Sequence, residues 1–306
     1  CNVKPDCVIE NRTLPNLYEA PLMLEKSNFS SVVCRELCIE TAEPDLNEWE
    51  QMVERIRNRS EEVHIGLVGK YVKLHDAYLS VAEAMSHAGY ELNTFVKIHW
   101  IDSENISKEN VKEVFHGLHG IIVPGGFGNR GTEGMVLAAK YARENRIPYF
   151  GICLGMQIAV IEFARNVLGL SDAHSGEFDE QCTHKVIDFM QGQSDEIDKG
   201  GTLRLGSYPC SIKQGTRMEK CYNAEIISER HRHRYEFNNN YREKLTEAGL
   251  VISGTSPDNR LVETVEIEEH PFFVGVQFHP EFKSRPNQPH PLFKGFISAA
   301  LECSKN

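Results

Sequence analysis

From residue 63 onward, short apolar segments alternate with helical ones, and this alternation restricts the possible folds more than any other feature. The pattern predicts strands at 63–69, 94–101, 120–123, 148–152 and 272–278, and helices at 77–88, 107–118, 133–145, 154–168 and 291–303. Gly89 is expected to end the first helix and Ser107 to begin the second. Short apolar strands that alternate with helices are typical of a parallel sheet covered on both faces. We therefore predict an α/β fold with a mostly parallel sheet flanked by helices.

Residues 1–62 do not show this alternation: one amphipathic helix is predicted from Asn47, and the sequence before it is turn-prone. The apolar positions of that helix are Trp49, Met52, Val53 and Ile56. So short a segment cannot bury a core of its own. We interpret residues 1–62 as the end of another domain and a linker, and 63–306 as a second domain. Because the chain opens with Cys1 and not with methionine, we expect it to be part of a longer protein.

Composition excludes several classes of protein. The net charge is −11, which disfavours non-specific binding to nucleic acid. No apolar run approaches the ~18 residues that a membrane span requires. The nine cysteines are odd in number and sparse in a long chain, so we expect neither a disulfide framework nor a zinc site. The same cysteine usage predicts a cytoplasmic location.

The pentapeptide 151–155, Gly-Ile-Cys-Leu-Gly, joins a predicted buried strand to a predicted apolar helix. It has the form of a nucleophile elbow with cysteine in the position of serine. Such a turn lifts Cys153 above the carboxyl edge of the sheet and next to a helix N-terminus, which favours the reactive thiolate. The amide of Leu154 would then face the oxygen of an attacked carbonyl. A structural cysteine buried between strand and helix would have the same sequence.

A cysteine nucleophile needs a base close to it in space, and thirteen histidines compete for that role. His279 directly follows the predicted strand 272–278, and strand ends are where catalytic groups collect in such sheets. Glu281 is near enough in sequence to bond one imidazole nitrogen and complete a Cys-His-Glu triad. A polar, exposed turn after a strand is the alternative.

Two further segments are candidates for binding. Residues 124–131 form a Gly-rich loop between a strand and a helix, which suits an oxyanion site better than a P-loop because no lysine follows. A flexible turn is the alternative. Residues 230–236, Arg-His-Arg-His-Arg-Tyr-Glu, are the densest basic run, and their arginines could bind a carboxylate or a phosphate. The alternative there is a solvated basic strand, and the flanking arginines argue against a metal on His231 and His233.

Together, the segments 124–126, 151–157 and 277–281 resemble the class I (triad) glutamine amidotransferases. The segments 18–21, 66–71, 124–134, 200–206 and 229–236 are similar to the branch of that family in which a glutaminase domain supplies ammonia to a synthetase domain. The resemblance implies a Rossmann-like α/β glutaminase fold over residues 63–301, preceded by the end of the synthetase domain.

The resemblance also implies residue roles in hydrolysing L-glutamine to glutamate. Cys153 is the implied nucleophile, His279 the base and Glu281 its partner, with oxyanion amides from Gly126 and Leu154. Glu177 would pair with the α-ammonium of glutamine. The implied glutamine-binding residues are Gly126, Leu154, Gly155, Met156, Gln157, Glu177 and Arg234, and the implied lid or effector residues are Phe127 and Arg130.

The resemblance implies no cofactor and no metal for the glutaminase step. It implies that the full enzyme uses ATP and Mg²⁺, at a site outside this chain, to aminate UTP to CTP. It implies GTP as an activator that orders residues 127–131, and a homotetramer as the assembly. The chain alone is expected to act only as a glutaminase. Arg12-Thr13-Leu14 occupies the position where the family often has Lys-Asp-Val beside ATP, and the sequence leaves open whether it contributes to the ATP site.

Two other functions remain open at this point. A different thiol hydrolase or amidotransferase could share the fold, although the basic run 230–236 and the character of residues 1–62 argue against it. A non-catalytic assembly module is the second alternative. Release of glutamate from glutamine would distinguish them.

Overall fold

The computed structural model describes residues 2–189 and 204–305. The chain forms two compact units, Cys1–Arg59 and Ser60–Asn306. The predicted division at residue 62 lies three residues from this boundary, and the identity of the first unit as a domain end with a linker stays a prediction. The first four residues of the 200–206 motif lie outside the described residues.

The first unit is built from three helices, and its last helix begins at the predicted Asn47. Its buried side chains Met52, Val53 and Ile56 are three of the four predicted apolar positions. Trp49 instead donates its Nε1–H to the carbonyl oxygen of Tyr18 at 2.7 Å. The helices are α1 Ala20–Glu25, α2 Phe29–Leu37 and α3 Asn47–Arg57.

The second unit alternates strands and helices in its first half, as predicted. Its elements, in chain order, are β1 Glu61–Gly69, α4 Leu79–Glu91, β2 Thr94–Asp102, α5 Val111–Val114, β3 Gly120–Val123, α6 Thr132–Glu144, β4 Tyr149–Ile152, α7 Leu154–Asn166, β5 His174–Ser175, β6 Lys185–Phe189, β7 Arg204–Ile212, α8 Arg217–Tyr222, β8 Ile226–His233, β9 Tyr235–Phe237, α9 Arg242–Glu247, β10 Val251–Thr255, β11 Val262–Glu266, β12 Phe273–Val276 and α10 Pro291–Cys303.

The main sheet has the strand order β2-β1-β3-β4-β12-β11-β10-β7-β8. The first five strands are mutually parallel, and the remaining four extend the sheet with antiparallel pairings. A second, small sheet has the order β5-β6-β9. The parallel strands end at one common edge, so the segments after β1, β3, β4 and β12 meet there. This is the edge at which open α/β sheets bind ligands.

Two apolar cores cover the two faces of the sheet, because successive side chains of a strand point to opposite faces. In β3, Ile121 and Val123 pack with α6 and α7, whereas Ile122 packs with α4 and α10. All of these strand residues are fully buried. The buried pattern of four consecutive residues in β3 and in β4 confirms the predicted sheet with both faces covered.

Two helix predictions missed an end by more than two residues, and two others, 133–145 and 154–168, missed by one or two. The predicted helix 107–118 shrinks to α5, because the Asn110 side chain accepts from the Ser107 amide and donates to the Asn105 carbonyl, closing a turn instead. Gly89 does not end its helix, since α4 continues to Glu91. A Cβ on Gly89 would lie 2.6 Å from the carbonyl oxygen of Thr94, so this glycine lets α4 approach β2 closely.

In the described ranges, every helix is too short or too polar to cross a membrane.

Candidate active site

Cys153 occupies the turn between β4 and α7, with φ 52° and ψ −98°. A positive φ is strained for a residue that carries a Cβ, and such strain clusters at functional positions. The flanking glycines are required by space, because a Cβ on Gly151 would lie 2.5 Å from the carbonyl of Gly155. The Cys153 amide donates to the carbonyl of Val276 at 2.7 Å, which ties the elbow to β12.

His279 lies beside this cysteine because β12 pairs in parallel with β4, with Val276 opposite Ile152. The His279 Nδ1 is 2.8 Å from Glu281 Oε1. Both side chains are nearly buried, with exposed fractions of 12% and 5%. A Cβ placed on Gly125 would lie 2.9 Å from His279 Cε1 and 3.6 Å from Cys153 Cβ, so the two side chains border the same small space. The predicted triad residues are therefore close together.

The electrostatics of the pair favour an imidazolium. Burial by itself lowers the pKa of His279, but the neighbouring Cys153 sulfur and the Glu281 carboxylate outweigh it and raise the pKa to about 10. Because His279 Nδ1 is paired with Glu281, Nε2 is the ring nitrogen available for proton exchange with Cys153. This arrangement is the electrostatic requirement for a thiolate nucleophile.

The Gly-rich loop 124–131 runs from β3 to α6 along the same edge. A Cβ on Gly126 would lie 3.2 Å from Leu154 Cδ2, so the loop backbone approaches the start of α7 closely. The amide of Leu154 is the first of α7, where a helix leaves N–H groups without an intrahelical acceptor. Gly128, with φ +75°, turns the loop back towards Glu177, whose Oε1 accepts from the Gly128 amide at 2.8 Å.

Two cavities meet at Cys153. The smaller is about 10 Å³, and it is bordered by Glu177, Arg234 and Gln157, three of the predicted glutamine-binding residues. The larger is about 300 Å³, and its lining includes His279 and Glu281. Gly126, Phe127 and Cys153 line both cavities, so the loop and Cys153 form the wall between them.

Four other predicted residues line neither cavity: Leu154, Gly155, Met156 and Arg130. Gly155 and Met156 are buried in the core, line neither cavity and can offer only their backbone. Arg130 also lines neither cavity, and its Nη2 donates to the Lys70 carbonyl at 2.8 Å while its Nη1 pairs with Glu104. Phe127 is half exposed at the cavity wall. The effector roles of Phe127 and Arg130 stay predictions.

The basic run splits between two sides of β8. Arg230 and Arg232 are exposed, whereas His231 and His233 are buried. Burial, aided by Arg204, lowers the pKa of His231 to about 2 and that of His233 to about 3, so both rings are neutral. The Arg232 guanidinium lies over the Phe127 ring, 5.7 Å from its centre.

One group of potential metal ligands occurs in the described part of the chain, formed by His231, His233 and Glu263. The Arg204 guanidinium is already paired with Glu263 at 2.5 Å. A metal ion at this place would be repelled by the guanidinium, so we assign no ion to the group.

Two buried residues at this site, Lys70 and Gln277, are not among the predicted functional residues. Lys70 follows β1 and is only 4% exposed, and its Nζ donates to the carbonyls of Phe127, at 3.1 Å, and Gly128. Burial lowers the pKa of Lys70 to about 8, although Glu177 acts in the opposite direction. Gln277 follows β12 and contacts Cys153. Both residues could have been found by their position after parallel strands.

The chain is similar to proteins of a known family. Residues 73–299 match the family model named Glutamine amidotransferase class-I. The chain belongs to this family. Within the class-I amidotransferases it groups with the glutaminase domains of CTP synthases. The glutaminase domain of Trypanosoma brucei CTPS, solved with bound acivicin, is 43% identical with a TM-score of 0.75, over 78% of this chain and 94% of that one.

Curated CTP synthases are also similar to this amidotransferase chain. That of Clostridium acetobutylicum is 58% identical over 300 residues, which are 98% of this chain and 56% of the relative. That of Carboxydothermus hydrogenoformans is 57% identical over 305 residues, which are 100% of this chain and 57% of the relative. The chain thus spans little more than half the length of these relatives.

Proposed function

We propose that this chain hydrolyses L-glutamine to glutamate and ammonia through Cys153. The observation that carries the proposal is the environment of His279. Its Nδ1 is 2.8 Å from Glu281 Oε1, and Glu281 and the Cys153 sulfur raise its pKa to about 10. The thiolate attacks the γ-carboxamide carbon, and the oxygen gains a negative charge that the amides of Gly126 and Leu154 stabilise.

Collapse of this intermediate breaks the C–N bond, and His279 donates its proton to the departing nitrogen, which leaves as ammonia. A thioester with Cys153 remains. His279, now neutral, takes a proton from a water molecule that attacks the thioester carbon. Breakdown of the second intermediate releases glutamate and restores the thiolate and the imidazolium. Glu281 keeps the imidazole oriented through both halves.

Recognition of the amino-acid end rests on opposite charges in the smaller cavity. We assign the α-ammonium group to Glu177 and the α-carboxylate to Arg234, with Gln157 beside them. A cavity of about 10 Å³ is smaller than a glutamine molecule. One carboxylate oxygen of Glu177 also already accepts a hydrogen bond from the Gly128 amide. We therefore propose that the loop 124–131 moves outward to admit substrate and closes over it.

For the longer protein we propose the activity stated by the name of its relatives, CTP synthase. In this chain's longer protein the ammonia would aminate UTP to CTP. That reaction would use ATP and Mg²⁺ on a synthetase domain, of which residues 1–62 would be the end. We further propose GTP as an activator acting on the loop that contains Phe127 and Arg130, a homotetrameric assembly and a cytoplasmic location.

The test is glutamate release from glutamine by the purified chain, with and without GTP. Cys153→Ala should abolish release, whereas Cys182→Ala, which replaces a half-buried cysteine away from both cavities, should keep it. Ammonia should appear in equal amount with glutamate. No release by the wild-type chain at any GTP concentration, or full release by Cys153→Ala, would refute the proposal.

A further inference from the structure

Two buried amides lie directly beside the nucleophile, and the triad does not use them. Gln277 is fully buried and Gln157 is 4% exposed. The backbone amide of Gln277 donates to the carbonyl of Glu263 at 2.8 Å, which fixes the residue just after β12. Its side-chain Nε2 is 3.5 Å from Cys153 Sγ. This distance is typical of a hydrogen bond from nitrogen to sulfur.

The neighbouring contacts determine which end of each amide faces which partner. Gln157 Nε2 lies 3.0 Å from the carbonyl oxygen of Tyr235, and only an N–H group can donate there. The same nitrogen is 3.3 Å from Gln277 Oε1, which accepts. Turning the Gln277 amide over would bring two NH₂ groups together and point an oxygen at the sulfur. The chain of bonds therefore presents the Gln277 NH₂ to Cys153.

The groups around the sulfur differ in what they contribute. On one side is the charged pair of His279 with Glu281. His233 lines the smaller cavity together with Cys153, and it stays neutral because burial lowers its pKa to about 3. The carbonyl oxygen of Arg232, at 4.0 Å, can only accept a hydrogen bond, so it gives no stabilisation to a thiolate. Gln277 is the neutral donor in this set, and it carries no proton that titrates in the working pH range.

We propose that Gln277 is a catalytic residue that holds the Cys153 sulfur in its thiolate form and in its attacking position, with Gln157 as the positioning residue that orients the Gln277 amide. This inference rests on the proposed function of Cys153. A donor to the sulfur stabilises the negative charge before attack, and again when the thioester breaks down and the thiolate leaves.

The experiment measures alkylation of Cys153 by iodoacetamide against pH, followed by peptide mass spectrometry. Gln277→Met removes the donor at similar volume and should move the pH of half-maximal labelling upward, because roughly a tenfold loss of thiolate is expected when one charge-assisted hydrogen bond is removed. The value of kcat/KM for glutamine at neutral pH should fall by about the same factor, mainly through kcat. Gln288→Met, an exposed glutamine, is the matched control and should leave both readouts unchanged.

Gln157→Met gives a second route if Gln277→Met does not fold. It leaves the Gln277 side chain in place but removes the bond that orients it, so a smaller shift in the same direction is expected. Labelling profiles of the folded variants that superpose on the wild type would overturn the inference. Labelling does not require turnover, so an inactive wild type with a shifted Gln277→Met profile would refute the proposed function and leave the role of Gln277 in holding the thiolate intact.

Discussion

Replacing Lys70 by methionine should stabilise the second unit at pH 7 while reducing its glutaminase activity. The Lys70 ammonium is buried, and within the described residues its Nζ bonds are to the carbonyls of Phe127 and Gly128. Its pKa falls from the ordinary 10.5 of lysine to about 8, so these bonds do not compensate for the loss of hydration. Methionine has a similar length and brings no charge into the site.

The magnitude follows from the two pKa values. Each tenfold change in proton affinity corresponds to about 1.4 kcal/mol, so the interval from 10.5 to about 8 corresponds to roughly 3 kcal/mol against the charged form. Residual solvent screening of the ammonium reduces this, and we expect Lys70→Met to raise the free energy of unfolding by about 1–2 kcal/mol.

The sign of the pH dependence follows from the lowered pKa of the folded state. Between pH 8 and 10.5 the unfolded chain holds a proton on Lys70 that the folded chain has released, so the wild type gains stability as pH rises through that interval. The advantage of Lys70→Met should therefore be largest below pH 8 and shrink above it.

The assay is urea unfolding followed by tryptophan fluorescence at pH 7 and pH 9.5. The chain has two tryptophans, one in each unit, so a Trp49→Phe background makes Trp100 report on the second unit alone. The exposed Lys213→Met is the matched control and should show no pH-dependent difference.

The kcat/KM of Lys70→Met should fall on the order of tenfold, because the loop loses its charged donor. A variant less stable than the wild type at pH 7, or a difference that grows with pH, would refute the reasoning.

Further predictions concern the triad and substrate binding. A diazoketone analogue of glutamine should label Cys153 alone in peptide maps, because Cys153 lines both cavities whereas burial raises the pKa of the Cys210 and Cys221 thiols. Equal labelling of several cysteines would contradict this. Arg234→Lys should lower kcat/KM by a factor that corresponds to about 2–3 kcal/mol of transition-state stabilisation, since a bidentate carboxylate contact is lost. An unchanged kcat/KM would show that Arg234 does not bind the substrate carboxylate. Glu281→Ala should keep more activity than His279→Ala, because the carboxylate orients the base while the base moves the proton; wild-type activity in Glu281→Ala would exclude it from the triad.

The sequence was sufficient for the parts of the fold that depend on local pattern. The helix over residues 291–303 begins with proline at its first position and was predicted with the bounds observed. The elbow at Cys153 was predicted because its glycines, strand and helix are contiguous. The helix predicted at 107–118 failed because periodicity does not reveal that the Asn110 side chain closes a turn.

The contacts between distant segments could not be predicted from spacing alone. The lysine at position 70 reaches carbonyls 57 and 58 residues away, and this pairing exists only because β1 and β3 lie side by side. Likewise, the order of the four antiparallel strands that extend the sheet depends on pairing between distant segments, and the local sequence pattern of residues 204–266 does not determine it. Glu177 was proposed from family resemblance, since a single glutamate after a short strand carries no local signal.

The wall shared by the two cavities has a thermodynamic consequence. Because Gly126, Phe127 and Cys153 border both spaces, a ligand in the larger cavity that favours one position of the loop changes the affinity of the smaller cavity for any ligand that also binds the loop positions unequally. Linkage requires the change to be mutual, with the same factor in each direction. A single loop of eight residues, 124–131, is thus enough to make two binding equilibria dependent on each other without any movement of the sheet beneath it.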